Sequence, residues 1–171
     1  KKTIPENLSD FRIQYKALEK INSKYKIRGE CQNHSGERFG AAVWDQWEVL
    51  RGLNPEWIGI QYDLLHAILE GTYAWPIGFE LIKSYIGTID VKDFYWKKID
   101  GEWDEELTPL GEGMVDYKRF MSLLKENDMR GPFSIHCEYL SEKDDLVSRK
   151  DKMKKDLTTL RNWLKDAGLL T

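Results

Sequence analysis

Segments that resemble strands alternate along this chain with segments that resemble helices, and this order limits the folds open to it. Short runs that contain β-branched or aromatic residues predict four strands, at 26–32, 57–63, 88–92 and 132–139. Apolar residues at three- and four-residue steps predict helices around them, at 7–24, 43–50, a stretch interrupted at Gly71 and Pro76 that runs to about residue 86, 115–127 and 149–166. Strands connected through helices form parallel sheets, so an α/β fold is predicted.

Four strand–helix units amount to half of a closed (β/α)8 barrel. Such barrels have eight units and are typically about 250 residues long, whereas this chain has 171 residues. We therefore expect a half barrel of the TIM type, with residues 1–171 as one domain and the N-terminal half missing. A half sheet has open edges that invite pairing with another chain, so self-association through these edges is expected.

One predicted element breaks the alternation after the third strand. Residues 95–99 and 102–103 flank Asp100-Gly101, a dipeptide typical of tight β-hairpin turns. A hairpin is therefore expected in the long connection to the next helix.

Composition excludes several classes of partner. The net charge is −3, from 29 acidic and 26 basic residues, which argues against a nucleic-acid-binding face. The apolar runs are too short to span a bilayer, so no membrane partner is expected. The two cysteines, Cys31 and Cys137, do not form a CxxC pair, which favours a reducing, cytoplasmic location.

Each predicted strand carries an acid at or near its C-terminal end, where barrel enzymes place their sites. Alternate residues of a strand share a face, so four polar stripes would converge on one side of the sheet. Converging carboxylates repel unless a cation neutralises them, and oxygen ligands favour one Mn²⁺ or Mg²⁺ ion. For Asp63 and Asp93, a helix N-cap is the alternative role. The four strand-end acids are Glu30, Asp63, Asp90 and Glu138.

The three histidines follow the same distribution. His34 follows the first strand, His66 lies three residues after Asp63, and His136 lies on the predicted fourth strand. A single loop histidine is most often an ordinary surface residue, but three beside strand-end acids indicate a site.

Four segments together resemble the sugar phosphate isomerase/epimerase superfamily with the xylose-isomerase-like barrel, in its C-terminal half. They are GECQNHSG (29–36), IQYDLLHA (60–67), IDVKDF (89–94) with PLGEGMVDY (109–117), and SIHCEY (134–139). The resemblance implies a metal held by Glu30, Asp63, Asp90 and Glu138. Asp90 departs from the pattern, because relatives often have histidine there, and Zn²⁺ or Co²⁺ then become possible beside Mn²⁺ and Mg²⁺.

The same resemblance implies a function. The expected activity is metal-dependent isomerisation or epimerisation of a sugar or related polyol-ketone through an enediolate, with Glu30 and Glu138 as acid and base. His66 matches the family histidine that contacts substrate oxygens, and the remaining candidates for substrate contact are His34, Lys92, Trp96 and His136.

Three alternatives remain open at this stage. An inosose-type dehydratase of the same superfamily is the nearest rival. A half barrel without catalytic activity is the second. An apurinic-site endonuclease shares the barrel, but it would use a richer histidine cluster and a basic groove, whereas this chain has three histidines and a net charge of −3.

Overall fold

The computed structural model describes residues 2–170 and divides the chain into two compact units, one ending at Ile89 and one starting at Asp90. Helices and strands alternate as predicted, giving an α/β fold with a parallel sheet. The four-stranded sheet has the order β1 (Gly29–Gln32), β2 (Ile58–Asp63), β3 (Ile86–Val91) and β6 (Phe133–Ile135), and a separate two-stranded sheet pairs β4 (Asp93–Ile99) with β5 (Glu102–Thr108).

The first unit contains four helices, two complete strands and the start of a third strand. Its elements are α1 (Ile4–Tyr25), β1 (Gly29–Gln32), α2 (Val43–Leu50), β2 (Ile58–Asp63), α3 (Leu64–Gly71), α4 (Trp75–Ile82) and the start of β3 (Ile86–Val91), with short 3-10 turns at Thr72–Ala74 and Lys83–Tyr85.

In this unit β1 and β2 run parallel, and Glu30 lies opposite Gly59 while Gln32 lies opposite Gln61. The core behind them is apolar and fully buried, as expected for strands covered by helices. Its largest side chains are Ile58, Ile60, Tyr62, Leu64, Phe79 and Ile82.

Helix α1 begins at a capping box and is fixed to the rest of the unit by hydrogen bonds. The Thr3 side chain accepts from the Glu6 amide while Glu6 accepts from the Thr3 amide, which satisfies two free N–H groups. Further along, the Arg12 guanidinium donates to the carbonyls of Glu48, Val49 and Arg51, so it caps the C-terminal end of α2.

The second unit continues β3 and adds the hairpin and two helices. Its elements are β4 (Asp93–Ile99), β5 (Glu102–Thr108), α5 (Tyr117–Glu126), β6 (Phe133–Ile135) and α6 (Leu146–Asp166). Tyr117 of α5 stacks on Trp163 of α6 with ring centroids 4.5 Å apart. Phe94, Phe120 and Leu124 are fully buried.

Several predicted boundaries differ from the structure. The strand predicted at 132–139 ends at Ile135, so His136 and Glu138 lie after the strand. Pro76, predicted to interrupt a helix, lies in the first turn of α4, where its missing N–H costs nothing. Within residues 2–170, no helix is long and apolar enough to cross a membrane.

Candidate metal centre

In the first unit, the end of β2 is tied to the end of β1 through Asp63. The fully buried Asp63 carboxylate accepts from Gln32 Nε2 at 3.0 Å and from the His66 amide at 3.3 Å. Asn33 clamps the Asp63 backbone, accepting from its N–H and donating to its carbonyl, both at 2.8 Å. Asp63 therefore is the N-cap of α3, the alternative role that the sequence suggested for it. Its carboxylate also contacts Gln32.

Gln32 and Asn33 are site residues that sequence reasoning missed. The sequence prediction rested on ionisable groups, whereas both of these side chains are neutral amides. Asn33 is fully buried, and a buried amide needs partners for its donors and its acceptor. The polar run Gln32-Asn33-His34-Ser35, at the end of the predicted strand, is the signal that could have identified them.

The two histidines of the first unit lie face to face. His34 and His66 stack with ring centroids 3.9 Å apart. His66 Nδ1 is 2.9 Å from Ser35 Oγ, and its Nε2 is 3.7 Å from Asp63 Oδ2. His66 lies in the first turn of α3 and is nearly buried, so its ring orientation is fixed.

Glu30 lies away from Asp63, in a separate ion pair. Its carboxylate is 2.8 Å from Arg28 Nε, and Arg28 also donates to the carbonyl of Tyr85, the residue before β3. Gly87 makes room for this carboxylate, because a side chain there would overlap it. On β1, the side chain that reaches Asp63 is thus Gln32, two residues after Glu30.

In the second unit, four polar side chains form a connected group. His136 Nε2 is 3.3 Å from Asp90 Oδ1, and His136 Nδ1 is 3.4 Å from Glu138 Oε1. Lys92 Nζ donates to Glu138 Oε1 at 3.1 Å. Asp90 and Lys92 are buried, whereas half of the Glu138 side chain is exposed. The His136 amide donates to the Val91 carbonyl, which fixes this segment against β3.

Asp93 holds the loop that carries the Gly111-Glu112-Gly113 turn. Its carboxylate accepts from the amides of Gly111 and Gly113 at 3.0 and 3.1 Å, and from those of Phe94 and Val115. Four backbone donors satisfy both oxygens, so Asp93 organises the loop.

Another buried acid, Asp156, accepts from Tyr139 Oη at 2.8 Å and from the Leu110 amide at 3.1 Å. Cys137 Sγ lies 3.5 Å from the same carboxylate. Burial, followed by the nearby Asp156 charge, raises the pKa of Cys137 to about 11 and also raises that of Tyr139. Both groups are therefore protonated at neutral pH.

Three of these side chains offer ligand atoms close enough to share one cation. Asp63, Asp90 and His136 each offer one such atom, and the three atoms lie within 4.8 Å of one another. Both carboxylates are fully buried, and buried carboxylates need neutralising charge. The group could therefore hold a divalent ion. Two carboxylates with an imidazole suit Mn²⁺, Co²⁺ or Zn²⁺. Glu30 and Glu138 are not among the three.

Trp96 lies on the exposed part of the hairpin. Its ring is 43% exposed and meets Phe94 edge to face at 5.7 Å. The expected substrate contacts of Trp96, Lys92, His34 and His66 remain predictions, whereas His136 also qualifies as a metal ligand.

Comparison with known proteins gives the same fold. A profile of the xylose isomerase-like TIM barrel family matches residues 4–166, which is nearly the whole chain. A search of curated protein sequences found no match.

Solved structures align with most of this chain at low identity. A xylose isomerase domain protein from Planctomyces limnophilus is 20% identical with a TM-score of 0.68, over 92% of this chain and 52% of that one. A D-tagatose 3-epimerase-like protein is 19% identical with a TM-score of 0.69, over 94% and 55%. A probable 3-DHS dehydratase from Bacillus anthracis is 14% identical with a TM-score of 0.61, over 86% and 55%.

The chain thus spans about half the length of these structures, in agreement with a half barrel. The family match and the parallel α/β sheet lead to the same conclusion. This chain belongs to the xylose isomerase-like TIM barrel family.

Proposed function

We propose that this protein is part of a metal-dependent isomerase or epimerase that acts on a sugar or a related polyol-ketone. The observation that carries the proposal is the group of Asp63, Asp90 and His136, whose ligand atoms lie within 4.8 Å of one another. A divalent ion held by these residues would polarise a carbonyl oxygen of the substrate. Mn²⁺ is our first choice, with Co²⁺, Zn²⁺ and Mg²⁺ as the others to test.

Glu138 is the acid–base group that the contacts favour. It is half exposed, so it is accessible to a substrate, and Lys92 and His136 both contact its Oε1 and so orient the carboxylate. A carboxylate held in this way can take a proton from the carbon beside a carbonyl and return it. Glu30 remains the predicted partner on the opposite side, although it first has to leave its ion pair with Arg28.

The groups of the first unit would bind the substrate. His66 is held by Ser35 and by stacking on His34, and its Nε2 is 3.7 Å from Asp63 Oδ2, so its ring would meet a sugar hydroxyl in a fixed orientation. Trp96 offers an exposed ring on which the apolar face of a sugar could stack.

A carboxylate that takes up the substrate proton exchanges it with solvent. Incorporation of deuterium from deuterated water therefore tests the proposed acid–base mechanism directly. The chain is incubated with Mn²⁺ in deuterated water and a panel of ketoses, ketose phosphates and inosose. We expect an isomer or epimer that carries deuterium at the reacting carbon. We also expect Glu138→Gln to slow turnover by about 100-fold or more, the usual contribution of one acid–base group.

The matched control is Glu142→Gln, the same substitution at an exposed position four residues further on. It should retain full turnover. Product without deuterium would indicate hydride transfer. Full activity of Glu138→Gln would show that Glu138 is not the acid–base group.

A dehydratase is the second candidate, and the Arg28–Glu30 ion pair favours it. Inversion at carbon by proton transfer requires an acid–base group on each face, whereas loss of water beside a carbonyl needs one base. With Glu30 held by Arg28, Glu138 alone would suffice for elimination. A conjugated product absorbing in the ultraviolet, with no epimer, would identify this activity.

A further inference from the structure

Gln32 is a neutral side chain that contacts Asp63, the candidate metal ligand of the first unit. It ends β1, opposite Gln61 in the parallel register, and its Nε2 donates to Asp63 Oδ2 at 3.0 Å. Asp63 Oδ1 accepts from the His66 amide, and Asn33 holds the Asp63 backbone. Gln32 is thus the β1 side chain in direct contact with a carboxylate of the candidate metal centre.

The absence of a charge on the Gln32 side chain matters more than its size. Asp63 and Asp90 each supply one negative charge, and the charges of Glu138 and Lys92 beside His136 offset each other, so one divalent ion balances the group. Glutamate has nearly the shape of glutamine, but it would bring a third negative charge to a fully buried carboxylate. In a poorly solvated site such a charge acts strongly on both the carboxylates and a bound cation.

We propose that Gln32 determines the charge, and thereby the metal affinity and selectivity, of this centre. The inference rests on the proposed metal site and goes beyond it by naming the residue that limits its affinity. The amide orients Asp63 through one hydrogen bond while keeping the site at two negative charges. It therefore favours divalent over trivalent ions.

Three substitutions separate these effects. Gln32→Glu adds a charge at nearly constant shape and replaces the donor by an acceptor. Gln32→Met keeps the length but removes the hydrogen bond. Gln14→Glu, at an exposed position of α1, makes the same chemical change away from the site and serves as the matched control.

Binding of Mn²⁺ and of Tb³⁺ is measured for each variant by titration calorimetry. Gln32→Glu should bind Mn²⁺ about tenfold more tightly, and Gln32→Met about tenfold more weakly, the size by which neighbours of metal ligands change affinity. The gain for Tb³⁺ should exceed the gain for Mn²⁺, because the added charge acts on a higher charge. Gln14→Glu should match the wild type.

Melting without metal provides a readout that does not depend on binding. Gln32→Glu should melt below Gln14→Glu, because two carboxylates then face each other at hydrogen-bond distance, and added Mn²⁺ should reverse this loss. Equal melting temperatures of these two variants would contradict the proposed electrostatic role of Gln32.

Failure of the inference is distinguishable from failure of the proposed function. If Asp63→Asn abolishes Mn²⁺ binding while both Gln32 variants bind like the wild type, the metal centre stands and the role of Gln32 is wrong. If the wild type binds no divalent ion, the proposed function and this inference both fall.

Discussion

Buried carboxylates in this chain fall into two groups according to what surrounds them. Asp93 accepts four backbone N–H groups, and Asp156 accepts from a phenol and an amide, so both stabilise loops. Asp63 and Asp90 instead offer oxygens that can share a cation with His136. Asp63 also accepts two hydrogen bonds, so the convergence of ligand atoms on a common point, and not a lack of donors, marks the candidate ligands.

Asp45 allows a pH-dependent prediction at the scale of one residue. Burial raises its pKa above the ordinary value of 3.8, and its Oδ1 has no hydrogen-bond partner. A carboxyl with a raised pKa binds its proton more tightly in the folded state, so folding stability falls as pH rises through the interval between the two values. At neutral pH the ionised form therefore costs stability.

Asp45→Asn removes this charge and retains an acceptor for the Gly40 amide. The melting temperature of the variant minus that of the wild type should increase as pH rises from about 3.5 to 7.5, across the ordinary carboxyl pKa. Thermal melts at four or five pH values within this range provide the check. A difference that shrinks with rising pH would contradict the sign of the shift.

Which strand-end residues face each other was only partly predictable from the sequence. The sequence pattern placed an acid at the end of β2, and Asp63 lies there in the structure. The register between β1 and β2 depends on tertiary pairing, so the sequence did not reveal that Gln32, rather than Glu30, reaches Asp63. The same limit applies to His136 and Glu138, because β6 ends at Ile135.

At the scale of elements, the hairpin is the feature that the sequence predicts most directly. Asp100 and Gly101 both have positive φ, 50° and 95°, as a two-residue hairpin turn requires. The strands extend further than predicted, to Asp93 and Thr108, because pairing continues through residues whose own pattern is weak. Alternation puts Phe94, Trp96 and Trp103 on one face of the hairpin.

Trp96 is the residue of this hairpin expected to contact substrate. Trp96→Ala should raise KM about threefold to tenfold with kcat nearly unchanged, because stacking on a sugar face contributes on the order of 1 kcal/mol. Steady-state kinetics with the substrate identified in the panel would measure this change. Trp103→Ala is the matched control, and an equal effect of both substitutions would contradict a specific contact.

At the scale of the whole molecule, the chain leaves apolar surface that another barrel half could cover. Strand β1 lies at one end of the sheet order. Helix α1 exposes Ile13, Ile21 and Tyr25 by 66%, 54% and 62%, at multiples of four residues along one side. Large exposed apolar stripes of this kind mark interaction surfaces.

We therefore predict that this chain self-associates in solution. Size-exclusion chromatography with light scattering should give a mass above the 20.1 kDa of one chain, and Ile13→Lys with Ile21→Lys should reduce it. Gln14→Lys, at another exposed position of α1, should not. A monodisperse, cooperatively melting monomer at all concentrations tested would contradict this expectation.

The central claim is that Asp63, Asp90 and His136 hold one divalent cation. Calorimetric titration with Mn²⁺ tests it most directly, on the wild type and on Asp90→Asn, with Asp151→Asn, an exposed position of α6, as control. The account predicts one site per chain in the wild type and in Asp151→Asn, and affinity lower by about tenfold or more in Asp90→Asn. Equal affinity of Asp90→Asn and the wild type, or no saturable site in either, would contradict it.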